Sequence, residues 1–344
     1  IIGAVVIIGY TIMGGFMAVS TTDLIQSIVM SIALIIIVFY GIHIAGGWNA
    51  VMDNARSLAG YLSMTQIHDP VSNTAAPYSM ISIFSMMAWG LGYFGMPHIL
   101  LRFMAISHEN KLGLSRRIAS VWVVISMFVA ILIGMIGCGV SAAGKLETFT
   151  SSADSETIII RLSGLLGGHG FLLSIVAGIV LAGILASTMS TADSQLLTAA
   201  SSVSQNLLQD FLKIKMNAKT SMAAARITVL AVALVGIILA WDPNSSVFTI
   251  VSFAWAGFGA AFGPVMLFSL FWKRTNFCGA LAGMISGGIM VFVWKYGIRP
   301  LGGAWNIYEL LPAFLVASAA ILLVSLATAP PSEDICRQFD SASK

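Results

Sequence analysis

Charge is what this 344-residue chain has least of. Asp, Glu, Lys and Arg make up 9% of it, 14 acidic residues against 17 basic ones. A soluble domain carries about 25% charged residues. So few charges cannot cover a water-facing surface, which excludes a cytosolic enzyme and a disordered segment. Cysteine is as sparse, with Cys138 and Cys278 in apolar runs and Cys336 in a polar stretch near the end. Three isolated thiols build no disulfide framework. The five histidines are scattered and none pairs at i,i+4 with another, so metal-ligand spacing is missing too. A net charge of +3 without a basic cluster argues against nucleic acid as a partner. The start lacks a charged n-region and a cleavage site. Ile1 already lies in an apolar run, so no signal peptide is read there, and the chain is expected to be the C-terminal part of a longer protein.

What is present is apolar. Hydrophobic residues reach 58%, with 33 Gly, 18 Met and 19 Phe, and mean hydropathy is +0.93. This composition suits helices packed closely in lipid. A span needs about 20 mostly apolar residues. Nine stretches qualify or nearly do: 1–13, 19–44, 78–104, 118–143, 171–200, 223–241, 247–272, 278–296 and 310–328. The first is short and is expected to stop at Gly14-Gly15, and the fifth to continue as a polar helix towards Leu212. Residues 329–344 read as a polar tail opened by Pro330-Pro331.

Basic residues set the orientation, because cytoplasmic loops hold the excess of Lys and Arg. Arg102, Lys111, Arg116, Arg117, Lys213, Lys215, Lys219, Arg226, Lys273, Arg274, Arg337 and Lys344 fall on one side of the alternating spans. Only Arg56, Lys145, Arg161, Lys295 and Arg299 fall on the other. The tail is therefore expected in the cytoplasm and Ile1 near the outer face. The two long loops, 46–76 and 144–170, are expected outside, the second with a short surface helix over 157–166.

Ionisable residues inside spans are functional candidates, and two acidic ones lie near membrane depth. Asp23 follows Ser20-Thr21-Thr22 at the start of the second span, where it reads either as an N-terminal cap or as an ion-related group. Asp193 lies mid-span in Ser187-Thr188-Met189-Ser190-Thr191-Ala192-Asp193-Ser194-Gln195. Ser187, Ser190, Thr191 and Ser194 follow i, i+3, i+4, i+7 spacing and share one helix face, with Asp193 on its shoulder. Such oxygens suit a hard cation; they also suit a polar seam between helices. The third span carries Trp89-Gly90-Leu91-Gly92-Tyr93-Phe94-Gly95-Met96-Pro97-His98. Three glycines and a proline should break the helix. Broken backbone at membrane depth lines a cavity or is buried in protein, and discontinuous helices are a binding device of secondary transporters. Trp89 and Tyr93 are therefore candidate substrate contacts, the rival role being an interfacial aromatic belt.

At these motifs the sequence resembles the sodium/solute symporter family, most of all its proline-carrying members. The stretches that carry the resemblance are 14–20 with Thr22-Asp23, 87–100, 186–197, 253–264, and 279–284 with Val293-Trp294-Lys295. The resemblance implies an all-α integral membrane fold of two inverted five-helix repeats and a multi-pass chain in the plasma membrane. It makes residues 1–344 a single transporter domain: 1–44 ending the first repeat, 78–272 forming the second, 278–328 adding C-terminal spans and 329–344 a cytoplasmic tail. It implies a transporter, not an enzyme, that couples sodium entry to uptake of a small organic solute, L-proline first, by alternating access. Pantothenate or another small solute is the alternative, as is a transporter-like membrane sensor. By resemblance, Ser190 and Thr191 match hydroxyl ligands of a sodium ion, and Ser187 stands where the family often has Ala, giving a backbone carbonyl. Trp89 and Tyr93 match aromatic substrate contacts. Asp23 matches an acidic residue tied to coupling, and Asp193 and Ser194 could form a second cation site or make coupling proton-sensitive. Two departures stand out: Met96 where the best-known proline symporters carry Gln, and Asp193 where some members carry Ser.

Overall fold

The computed structural model describes residues 2–70, 72–149, 151–239 and 246–342. It is helical nearly throughout. Among the described residues seven helices are long and apolar enough to cross a membrane, against the nine stretches expected. Two differences account for the count. Helix α1 (Ile2–Ile44) runs through Gly14-Gly15 without a break, so 1–13 is not a separate span. A glycine costs about 1 kcal/mol relative to alanine in a helix interior, too little to stop a helix with long apolar runs on both sides. The expected third span is divided into short pieces, as its glycines and proline foretold. The sixth falls at Ala218–Leu239, and its expected last residues, 240–241, lie outside the described residues, as do 343–344 of the tail.

After α1 come α2 (Trp48–Ser57), β1 (Gln66–Asp69) and β2 (Thr74–Pro77), then α3 (Met80–Met87), a 3-10 segment over Ala88–Gly95, and α4 (Pro97–Met104). Next are α5 (Leu112–Ala142), the single turn α6 (Ser152–Ser155), α7 (Ile158–Gly167) and α8 (Phe171–Ser201). Helix α8 widens into a π-helix over Ser202–Phe211, the continuation the sequence suggested. Helices α9 (Ala218–Leu239), α10 (Val247–Phe271), α11 (Phe277–Val293), α12 (Leu310–Ala327) and α13 (Glu333–Ala342) complete the chain. The tail is thus partly a short amphipathic helix.

The chain divides into two compact units. The first comprises residues 1–64, 68–75 and 106–246. Its core joins α1, α2, α5, α7 and α8 through Ala33, Ile37, Val51, Ile133, Ile136, Leu162 and Val180. Helix α7 stands where a short surface helix was expected over 157–166, and one face of it reaches this core through Leu162. At Gly183 a side chain would strike Ala33, so the missing Cβ sets the close approach of α1 and α8. A second cluster, Leu196, Ala200 and Val229 with Ile7, Ile8 and Ile12, ties α8 to α9 and the start of α1. Elsewhere the long helices present apolar side chains outward, with Val124 69% and Phe128 65% exposed on α5. Water would not tolerate such rows in a folded domain; hydrocarbon does.

The second unit comprises residues 65–67, 76–105 and 247–344. Its core is Ala256, Ala260, Val291, Leu310, Ala313 and Phe314. Gly279, Gly283 and Gly287 repeat every four residues on α11, and a Cβ at any of them would strike Ser325, Ile321 or the Ala260 carbonyl. This is the small-residue seam by which membrane helices pack without a hydrophobic driving force. Pro264 sits inside α10 and cannot donate to the carbonyl four residues back, which is Ala260. Residues 78–272, expected as one repeat, contribute to both units.

Candidate ion and substrate sites

The candidate ion site belongs to the first unit and lies on one unbroken helix, α8. Ser190 Oγ and Thr191 Oγ1 each donate to the Ser187 carbonyl at 3.3 Å. Ser194 Oγ donates to the Ser190 carbonyl at 3.0 Å. Each hydroxyl proton is thereby spent on the backbone one turn earlier, as Ser and Thr do in apolar helices. The oxygen lone pairs remain to accept. Hydroxyl oxygens presented lone-pair outward, beside a carbonyl, fit a hard monovalent cation. Ser187, Ser190 and Ser194 are half-buried and Thr191 is exposed, so the face is not consumed by packing within its own unit.

Asp193 lies elsewhere. It is fully buried, in line with the buried Gly183, Ala186, Leu196 and Ala200, on the face that meets α1. There Thr11 Oγ1 stands 2.5 Å from Asp193 Oδ1 and 2.7 Å from the Ile7 carbonyl. The spacing put Asp193 on the shoulder of the hydroxyl row; the structure also makes it a bridge between α1 and α8 through Thr11. Asp23 also changes meaning. No helix starts at this position, because α1 already runs from Ile2, so the N-terminal cap role is ruled out. Asp23 falls in the stretch of α1 between Thr11, which meets Asp193, and Ala33, which meets Gly183.

The candidate substrate site belongs to the second unit. The 3-10 segment over Ala88–Gly95 carries both Trp89 and Tyr93. It ends at Met96, whose extended backbone leads into Pro97 at the start of α4, as a residue before proline prefers. Gly92 and Gly95 are there for space. A side chain at Gly92 would overlap the Trp255 indole, and one at Gly95 would strike the Phe258 carbonyl and the backbone of Gly259 and Gly263. The broken segment therefore lies directly on the Gly-Ala face of α10.

This contact assembles a ring cluster. Trp89 stacks within 5.4 Å of Phe248 and of Trp255, at 10° and 12°, and within 6.0 Å of Tyr308 at 17°. Tyr93 meets Trp255 edge-on at 4.8 Å. Trp255 Nε1 donates to the Trp89 carbonyl at 3.0 Å, satisfying an acceptor that a broken helix would leave unpaired. The cluster separates the two expected contacts. Trp89 is the hub on which three other rings stack. Tyr93 is 46% exposed and offers a free face. Met96, the departure from the family pattern, is buried at 4% and packs inside the unit. Spacing along the chain could not reveal Trp255, Phe248 or Tyr308. The aromatic residues flanking small ones in 253–264 were the only signal, and it named no partner.

The Sodium:solute symporter family model matches residues 1–287. A sodium/proline symporter of Haemophilus influenzae is 39% identical over 99% of this chain and 66% of its own length. The high-affinity proline transporter PutP of Bacillus subtilis is 38% identical over 97% of the chain and 66% of its length. A sodium/proline symporter of Staphylococcus aureus is 36% identical over 96% and 62%. The chain thus spans a little under two thirds of the length of these relatives. Among solved structures, the substrate-bound outward-open state of a Na+-coupled sialic acid symporter aligns with a TM-score of 0.68, at 16% identity, over 96% of this chain and 66% of that one.

Proposed function

From the premise that the chain belongs to the sodium:solute symporter family, we propose that it carries most of a sodium-coupled transporter whose solute is L-proline. The observation that carries the proposal is the broken segment over Ala88–Gly95 seated on α10. It places an accessible tyrosine beside a preorganised ring cluster, where the apolar ring of proline gains contact area and polar tips stay within reach. Sodium enters as co-transported cargo. Ser190 and Thr191 supply hydroxyl oxygens, Ser187 a carbonyl, and Asp23 negative charge for sodium or for a second cation. Ser194 extends the oxygen row, and Asp193 acts through the α1–α8 joint rather than as a ligand.

Transport follows from linkage. If sodium raises the affinity for proline, proline raises the affinity for sodium by the same factor, and alternating access carries both across. Residues 1–44 close the first inverted repeat, 78–272 form the second, and 278–328 are additional spans. The protein resides in the plasma membrane with 329–344 in the cytoplasm. The test is uptake of labelled proline by proteoliposomes holding the full-length protein. An inward sodium gradient should drive accumulation, and unlabelled proline should compete. Uptake indifferent to sodium, or no competition by proline, would overturn the proposal.

A further inference from the structure

A charge cluster in the second unit takes no part in the sites above. Glu309, just before α12, is 1% exposed. A carboxylate so deeply buried must be paired to remain charged, and it is. Arg299 Nη1 stands 2.7 Å from Glu309 Oε2, and Lys295 Nζ lies 3.9 Å from Oε1. The two cations lie four residues apart where α11 runs into a π-helix over Trp294–Ile298, a widened turn of the kind often found at functional positions, and both reach the one carboxylate. Both cations have second attachments. Lys295 Nζ sits 3.8 Å over the Phe253 ring, and Arg299 Nε donates to Asn306 Oδ1 at 3.2 Å. Trp294 Nε1 donates to the Ile307 carbonyl at 3.1 Å. Residues 306, 307 and 309 are thus tied to the end of α11.

Residue 308 is the one between them. Tyr308 N–H donates to Ser85 Oγ and Tyr308 OH to the Ser252 carbonyl, both at 2.6 Å. Burial, with the Glu309 charge adding to it, holds the Tyr308 phenol protonated well above its ordinary range, so the hydroxyl remains a donor. Its ring stacks on Trp89. Charge, loop and ring form one chain of contacts that ends on the hub of the aromatic cluster.

We propose that Glu309, clamped by Arg299 and Lys295, is a positioning residue that holds Tyr308 against Trp89 and so sets the shape of the aromatic solute site. The inference rests on the reading of that cluster as the solute site. Glu309 does not touch the solute; its effect passes through Tyr308. Neutralising it leaves two cations without their partner and frees the 306–309 loop.

The test uses the full-length protein and two measurements. In Glu309→Gln, KM for proline should rise about tenfold, equivalent to about 1.4 kcal/mol, with maximal rate within about twofold. In a Tyr308→Ala background the same change should add less than about twofold, because coupled residues are not additive. The second measurement needs no solute. Maleimide alkylation of Ser85→Cys, corrected for the three native cysteines, should quicken several-fold when Glu309→Gln is added. If that variant is not recovered folded, Arg299→Gln, at a position 40% exposed, serves in its place. Unchanged KM with unchanged alkylation, or full additivity with Tyr308→Ala, would overturn the clamp. Faster alkylation in a protein that never transports proline would keep the clamp and sink the solute assignment.

Discussion

The two candidate sites are built in opposite ways. The oxygen row of the first unit lies on an unbroken helix: its hydroxyls bond back to α8's own carbonyls, and nothing about the backbone has to change. The aromatic site of the second unit requires the helix to fail. Its backbone groups must find new partners, such as the Trp255 indole on the Trp89 carbonyl, and its glycines must leave room for α10. A cation needs only oxygens at helical spacing. A solute with a shape needs a cavity wall, which a straight helix does not supply. The first site should therefore tolerate substitution structurally while losing ion dependence. The second should be fragile.

The largest effect tests that fragility. Gly95→Ala would drive a methyl into the backbone of α10, where nothing can rotate away. Overpacking costs about 1–3 kcal/mol, and with rigid backbone as the obstacle the cost should fall at the upper end. Thermal unfolding in detergent should show a drop of several degrees or loss of folded protein. An unperturbed melting temperature would mean that the segment does not lie on α10.

Next comes the opposite expectation for α8. Ser190→Ala and Thr191→Ala should each shift half-saturation for sodium several-fold, while stability changes by only about 0.6 kcal/mol, the average for an intramembrane hydrogen bond. Sodium titration of proline binding and a melting curve on the same samples give both numbers. Loss of stability with normal sodium dependence would make the row a packing seam. Within the aromatic cluster, Tyr93→Ala should raise KM for proline about 2- to 12-fold, since an aromatic contact is worth about 0.5–1.5 kcal/mol beyond its area. Trp89→Ala should instead lower stability, because three rings lose their hub. Equal behaviour of the two variants in both measurements would erase the division of roles.

The smallest effect on transport is expected at Asp193. Asp193→Asn keeps an oxygen for Thr11 and should weaken the α1–α8 joint, with little change in sodium half-saturation. Asp23→Asn should lose sodium dependence. If the two exchange behaviours, the buried aspartate is the ion-linked one.

What the sequence disclosed depended on distance along the chain. The hydroxyl row, the break before Pro97 and the extension of α8 towards Leu212 are local patterns, each within a few turns, and each is present in the fold. The direction in which Asp193 faces was not legible, because its partner Thr11 is 182 residues away. Trp255 and Tyr308 were hidden for the same reason. Gly14-Gly15 misled because glycine marks a helix end only where packing does not continue the helix. The tie between Glu309 and the end of α11 joins residues across a loop, through Lys295 and Arg299, and no residue pattern announced it.

The most direct measurement is equilibrium binding of labelled proline to the purified full-length protein, titrated with sodium, for the wild type, Ser190→Ala and Tyr93→Ala. The account predicts binding that rises with sodium in the wild type. In Ser190→Ala the sodium midpoint should move while proline affinity at saturating sodium recovers. In Tyr93→Ala proline affinity should stay weak at every sodium concentration. Proline binding that ignores sodium, or identical titrations in all three proteins, would contradict it.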